Sequence, residues 1–94
     1  MDLLFSVIKD IKFLKEFKGL TQLDLGFNDI TDISPIRELK NLTYLRLGEN
    51  QITDISHIKK LKNLRVLYIS ENQMDENQIT ELKEALPDLE IKDE

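Results

Sequence analysis

The sequence predicts an α/β solenoid, a stack of short coils in which each turn buries its apolar side against its neighbours. Three observations carry that prediction. First, a 22-residue unit repeats: Leu20-Thr-Gln-Leu23-Asp-Leu25-Gly-Phe-Asn28-Asp-Ile30 returns as Leu42-Thr-Tyr-Leu45-Arg-Leu47-Gly-Glu-Asn50-Gln-Ile52. It returns again as Leu64-Arg-Val-Leu67-Tyr-Ile69-Ser-Glu-Asn72-Gln-Met74. Second, Leu45 and Leu47 alternate with Tyr44 and Arg46, the two-residue period of a short strand. Third, Ile52, Ile55, Ile58 and Leu61 recur every three residues, which suits a 3₁₀ or extended return better than a long α-helix.

The repeat reaches further back than its obvious copies. Ile8-Lys-Asp10-Ile11-Lys-Phe-Leu14-Lys-Glu-Phe17-Lys-Gly-Leu20 superposes on the segment from Ile30 to Leu42, so Asp2-Leu3 falls where Asp24-Leu25 lies. A partial strand is expected there, with no amphipathic capping helix before it. Such an end exposes core and strand edge. It suits a fragment of a longer array, a chain that self-associates at this end, or a frayed first coil.

In the first full return segment Ser34 is the expected N-cap and Pro35 the first helical residue, with Ser56 repeating the cap. The last return differs. Asp75 and Glu76 lead Ile79, Leu82 and Leu86 at helical spacing, and Pro87 stops the run, which predicts an α-helix. Leu86-Pro-Asp-Leu89-Glu-Ile91 lies one 22-residue period beyond Leu64 to Ile69, so a final edge strand is expected there, then a charged tail from Lys92 to Glu94. The reading is a single domain over 1–94: a partial repeat (1–19), full repeats (20–41, 42–63 and 64–85), and a terminal strand and tail (86–94).

The L-x-x-L-x-L-x-x-N-x-I frames, Ile-Thr-Asp-Ile-Ser at 30–34 and 52–56, and Leu-Lys-Asn-Leu at 39–42 and 61–64 resemble the leucine-rich repeat of the short bacterial internalin type. The resemblance covers nearly the whole chain and is far more specific for fold than for function. It implies a curved right-handed coil stack with a parallel β-sheet on the concave face, 3₁₀ or irregular return segments, and here an α-helix in the last repeat.

Composition excludes several functions. The chain is 40% hydrophobic and 33% charged, which suits a folded domain with a core. A net charge of −5 gives no concentrated basic surface for nucleic acid. The absence of Cys removes disulfides and thiolate metal sites. The apolar stretch from Leu3 to Ile8 is too short for a secretory core or a membrane span. The compartment is unknown, with the cytoplasm favoured unless the chain is part of an exported protein.

Residues that repeat once per coil read as scaffold. Asn28, Asn50 and Asn72 form a column whose amides can satisfy backbone groups where the chain leaves each strand, and the resemblance supports an asparagine ladder. Ser6 and Glu94 occupy the equivalent end positions. Asp10, Asp32 and Asp54 form a second column. Their neighbours are Thr or Lys rather than further acidic ligands, so turn capping is expected and calcium is not. His57, the single histidine, takes the column of Phe13 and Pro35 on the convex side, without partners for metal or triad chemistry. No catalytic residues, cofactor or metal are expected.

Residues that change between coils carry the functional expectation. Gln22, Tyr44, Val66 and Asp88 form one outward column of the sheet, and Asp2, Asp24, Arg46, Tyr68 and Glu90 the next. Phe5, Phe27, Glu49 and Glu71 follow just past the strands. Phe27, Tyr44, Arg46, Val66 and Tyr68 are the candidate partner-binding residues, since Tyr and Arg are enriched in binding hot spots. The acidic side chains of this face favour a basic or amphipathic protein partner. The leading expectation is therefore a non-catalytic protein–protein interaction module. The alternatives are a structural or self-associating repeat unit, or a fragment of a larger bacterial surface adhesin.

Overall fold

The computed structural model describes residues 1–92; Asp93 and Glu94, with the end of the expected tail and the Glu94 position of the asparagine column, lie outside the described residues. In chain order a 3₁₀ turn (Lys12–Glu16) precedes β1 (Gln22–Asp24), a second (Ser34–Glu38) precedes β2 (Tyr44–Arg46), and a third (Ser56–Lys60) precedes β3 (Val66–Tyr68). The α-helix α1 (Glu76–Ala85) and β4 (Glu90–Lys92) complete the last coil. The strands form one parallel sheet in the order β1-β2-β3-β4, and Asp2 bridges to Asp24 as the expected partial strand.

The core lies between the sheet and the return segments. Leu23, Leu25, Leu45, Leu47 and Leu67 enter it from the strands, and Ile30, Ile33, Ile36 and Leu39 from a return. The three-residue spacing works because a 3₁₀ turn places every third side chain on the same face. Ile52, Ile55, Ile58 and Leu61 accordingly all point inward.

The 3₁₀ turns are capped differently from the expectation. Ile33 and Ile55, not Ser34 and Ser56, hold the cap positions, and neither serine makes a side-chain cap. The aspartate column supplies the acceptor one residue earlier. Asp10, Asp32 and Asp54 accept from the amides of Lys12, Ser34 and Ser56 at 2.9, 2.8 and 2.9 Å. These bonds favour the carboxylate, so Asp32 and Asp54 titrate below the ordinary aspartate value. The Ser34 or Ser56 amide is the main cause, its hydroxyl adds to it, and His57 contributes charge. A lowered folded pKa stabilises the fold above the ordinary aspartate value, and that contribution is lost as pH falls through the lowered one. The melting temperature of the double variant Asp32→Asn/Asp54→Asn is thus expected to fall less steeply than the parent's between about pH 5 and about pH 2, read by circular dichroism.

The last coil departs from the period. β4 pairs with β3 through Val66↔Glu90, Leu67↔Ile91 and Tyr68↔Lys92. The offset is therefore 24 residues, where Leu23↔Leu45 and Leu45↔Leu67 keep 22. An α-helix rises only about 1.5 Å per residue against about 2.0 Å for 3₁₀, so spanning the back of a coil with α1 consumes more residues. Asp88 consequently leaves the outward column that it was expected to share with Val66, and Glu90 takes its place. Lys92 belongs to β4 rather than to a solvated tail.

α1 is fixed at its start by Asp75, which accepts from the Gln78 amide at 3.1 Å. Gln78 also reaches across to the preceding coil. Its Oε1 accepts from the Ile55 amide at 2.9 Å, and its Nε2 donates to the Thr53 carbonyl at 2.6 Å. Gln78 thereby satisfies two backbone groups of the preceding coil and ties α1 to the start of the third 3₁₀ turn.

Candidate protein-interaction surface

After the Asp2 bridge and after β1, β2 and β3 the chain turns away from the sheet through the left-handed region. Phe5, Phe27, Glu49 and Glu71 have φ of 58, 56, 59 and 58°, at the same position of successive coils, and Val7 is a second such residue in the first coil at 54°. Such a conformation costs an L-residue roughly 1–2 kcal/mol. It is held by bonds between coils: the Phe27 amide donates to the Gly48 carbonyl at 3.0 Å, and the Glu49 amide to the Ser70 carbonyl at 3.0 Å. The preceding Gly26 is buried, and a Cβ there would meet Leu4 Cδ1 at 3.1 Å and Asp24 Oδ1 at 3.3 Å.

The turn also delivers Asn28, Asn50 and Asn72 inward. Asn50 Nδ2 donates to the carbonyls of Leu25, Leu47 and Gly48 at 3.0, 3.0 and 3.3 Å, while its Oδ1 accepts from the Ile30 amide at 3.0 Å. Asn28 makes the matching bonds to Leu3, Leu25, Gly26 and Ile8, and Asn72 to Leu47, Ile69, Ser70 and Ile52. At the ladder's upstream end Ser6 bonds only its local Leu4 carbonyl, at 3.4 Å. The asparagines thus join consecutive coils and leave the side chains just before them to face outward.

The outward strand residues meet as the register dictates. Tyr44 stands beside Val66, and Arg46 beside Tyr68. The rings of Tyr44 and Tyr68 lie diagonally, 5.7 Å between centroids and tilted by 56°. Arg46 Cζ sits 4.9 Å from the centre of the Tyr68 ring, and Lys92 Nζ 5.9 Å from it. Arg46 Nη1 also approaches Asp24 Oδ2 at 3.8 Å, and Lys92 Nζ approaches Glu90 Oε1 at 3.7 Å. Part-exposed pairs of this kind contribute about 1 kcal/mol or less, so they orient the cations more than they stabilise the sheet.

Phe27 is 48% exposed and stacks on Phe5, their centroids 4.5 Å apart. Together with Leu4, Arg46 and Glu49 it lines a shallow groove of about 150 Å³ beside the strands. The five candidate residues therefore lie on one continuous face, Phe27 reaching the tyrosines through Arg46. Lys92 joins this surface and was missed in sequence, because the 22-residue alignment placed it in the tail. Its presence, with the departure of Asp88, weakens the expected acidity of the face. Asp2, Asp24, Glu49, Glu71 and Glu90 still outnumber Arg46 and Lys92.

His57 is half-buried in the third 3₁₀ turn, on the opposite side from this surface. Among the described residues no group of His, Asp and Glu is placed to hold a metal ion, and no helix is long and apolar enough to cross a membrane.

Comparison with known proteins agrees with the architecture. The family described as Leucine Rich repeats (2 copies) matches residues 40–90, and a single Leucine Rich repeat matches 20–33. Internalin C2 of Listeria monocytogenes is 33% identical with a TM-score of 0.87, over 96% of this chain and 38% of its own. A second internalin of that species is 28% identical with a TM-score of 0.69, over 92% and 34% respectively. A leucine-rich repeat protein of Leptospira interrogans is 31% identical with a TM-score of 0.78, over 90% and 22%. The chain thus spans well under half the length of each of these structures. No curated protein sequence matches it. Leucine-rich repeats are typically protein-interaction modules and generally non-catalytic. With its internalin-like coil stack and matching repeats, the chain belongs to the leucine-rich repeat family.

Proposed function

We propose that the chain is a non-catalytic module that binds a protein partner across its concave sheet through Phe27, Tyr44, Arg46, Val66 and Tyr68. The observation that carries this reading is the Tyr44–Tyr68 pair with Arg46 set over the Tyr68 ring. These rings are half-buried and held by neighbours, so little rotamer freedom is lost when a partner covers them. The carboxylates around the aromatic strip favour a basic or amphipathic partner and speed its approach at low salt.

The double variant Tyr44→Ala/Tyr68→Ala is expected to weaken partner capture at least about 100-fold, as hot-spot losses of ~2 kcal/mol or more per ring predict. Affinity capture from a cell extract, read by mass spectrometry beside Lys60→Ala on the convex side, makes the test. Capture that survives in the double variant with a native circular dichroism spectrum removes the assignment of this face.

A second reading, a segment of a larger internalin-like adhesin, is favoured by the likeness to internalin C2 over only 38% of that protein's length. A natural reading frame confined to residues 1–94 would count against it.

A further inference from the structure

The joints between coils stack on the flank where each strand is entered. Each joint is the same turn, closed by the amides of Leu20, Leu42, Leu64 and Leu89 donating to the carbonyls of Phe17, Leu39, Leu61 and Leu86 at 3.0, 3.1, 3.0 and 3.0 Å. The second residue of the turn is Lys18, Lys40, Lys62 and then Pro87, and the third is Gly19, Asn41, Asn63 and then Asp88. Asn41 Nδ2 donates to the Lys18 carbonyl at 3.2 Å and Asn63 Nδ2 to the Lys40 carbonyl at 3.1 Å, a second amide ladder that ties the joints together. The three lysines are thereby held one coil apart, roughly 4.8 Å at the spacing of neighbouring strands. All three are exposed, and among the described residues none pairs with a carboxylate, whereas Arg37 lies beside Glu38 and Lys59 beside Glu81.

This ladder stops at the fourth joint. Asp88 stands where the amide would be, and a carboxylate cannot donate to the Lys62 carbonyl. A cavity of about 160 Å³ lies between the two joints that such a bond would have tied. Leu64, Pro87 and Leu89 give it aliphatic walls, and Lys62, Arg65 and exposed Asp88 line it too. That is the space of about five waters, enough for one branched aliphatic side chain. The lysine row therefore leads into a recess between the third joint and the fourth.

We propose that this flank binds an extended acidic peptide segment of a partner protein. One aliphatic side chain of the segment sits in the cavity, and its carboxylates follow along Lys62, Lys40 and Lys18. In an extended chain alternate side chains point the same way, and the flexible lysine stems absorb the difference between that repeat and the coil spacing. Asp88 repels a carboxylate from the cavity itself, so the anchor is apolar and the charges lie towards the row. The aliphatic walls offer no aromatic platform for the bases of a single-stranded nucleic acid. They also suit a hydrocarbon side chain better than the hydroxyls of a glycan, whose burial without partners is costly. No residue of the concave strip takes part, so this inference stands or falls apart from that reading.

Fluorescence anisotropy on the whole chain at low salt tests it. The probes are fluorescein-labelled peptides in which glutamate alternates with threonine and a leucine stands at one end or the other, beside a control with glutamine for glutamate. At least one acidic probe is expected to bind saturably below about 1 mM, and the control not to. Lys40→Glu/Lys62→Glu is expected to weaken binding at least about tenfold, the loss that two exposed ion pairs allow. Should that variant lose its native circular dichroism spectrum, Lys40→Gln/Lys62→Gln takes its place. Asp88→Asn separates the cavity from the charges. Its amide restores the bond to the Lys62 carbonyl and closes the recess, so the melting temperature is expected to rise while peptide binding falls at least about tenfold. Attraction to the lysine row alone predicts the opposite, tighter binding once the Asp88 charge is gone. Tighter binding by Asp88→Asn, equal binding of the glutamine control, or no saturable binding at about 1 mM overturns the proposal. So does binding of heparin or of phosphatidylserine vesicles that depends on Lys40 and Lys62 where the peptides fail to bind.

Discussion

Asn50→Ala is expected to lower stability by about 1–3 kcal/mol, because it strands several buried backbone groups at once. The Ile30 amide and the carbonyls of Leu25, Leu47 and Gly48 all depend on that one amide group. The site is 7% exposed, so water cannot readily replace it. Removing one partner while leaving the others buried incurs their desolvation cost without compensation. Asn72→Ala makes the control, since the same bonds there are half-buried and open to solvent on one side. Urea unfolding followed by circular dichroism should rank Asn50→Ala clearly below Asn72→Ala. Equal midpoints would show that the ladder contributes through local turn geometry alone.

Leu45→Ala should cost still more, about 2–5 kcal/mol, against the 5–15 kcal/mol typical of a whole domain. Leu45 is fully buried in the central strand, paired with Leu23 on one side and Leu67 on the other. A cavity here weakens both coil–coil contacts at once, and in a linear stack no third neighbour takes up the load. The variant is expected to unfold at much lower urea and with a broadened transition, as the first and last coils separate energetically. A single sharp transition with a midpoint near the parent's would contradict so local a division of stability.

Most of the coil stack was legible in the sequence because burial imposes its own spacing. Leu23, Leu45 and Leu67 must face the core, and a single period places all three. The aspartate column was legible as capping, for its carboxylates stand two residues before the amides they bind. Ser34 and Ser56 were misleading, because good capping chemistry at one position says nothing of an acceptor already present two residues earlier. The final register was hidden for a different reason. Ile91 matches the pattern equally well opposite Ile69 or Leu67, since both point inward, and only the length of α1 decides between them. That shift carried Lys92 onto the candidate surface and Asp88 off it. The left-handed column was unreadable altogether, because Phe27 and Glu49 occupy a conformation that composition associates with glycine or asparagine.

The 24-residue offset of the last coil has a consequence for how such a gene could lengthen. Duplicating the stretch that encodes residues 42–63 inserts a coil whose two faces match those already there, like adding a lattice plane inside a crystal. Copying the final unit instead would append a helical back beside a helical back, with no 3₁₀ turn for Gln78 to grip from the far side. Recombination can therefore extend this protein from its middle, and new binding surface enters between coils already in place.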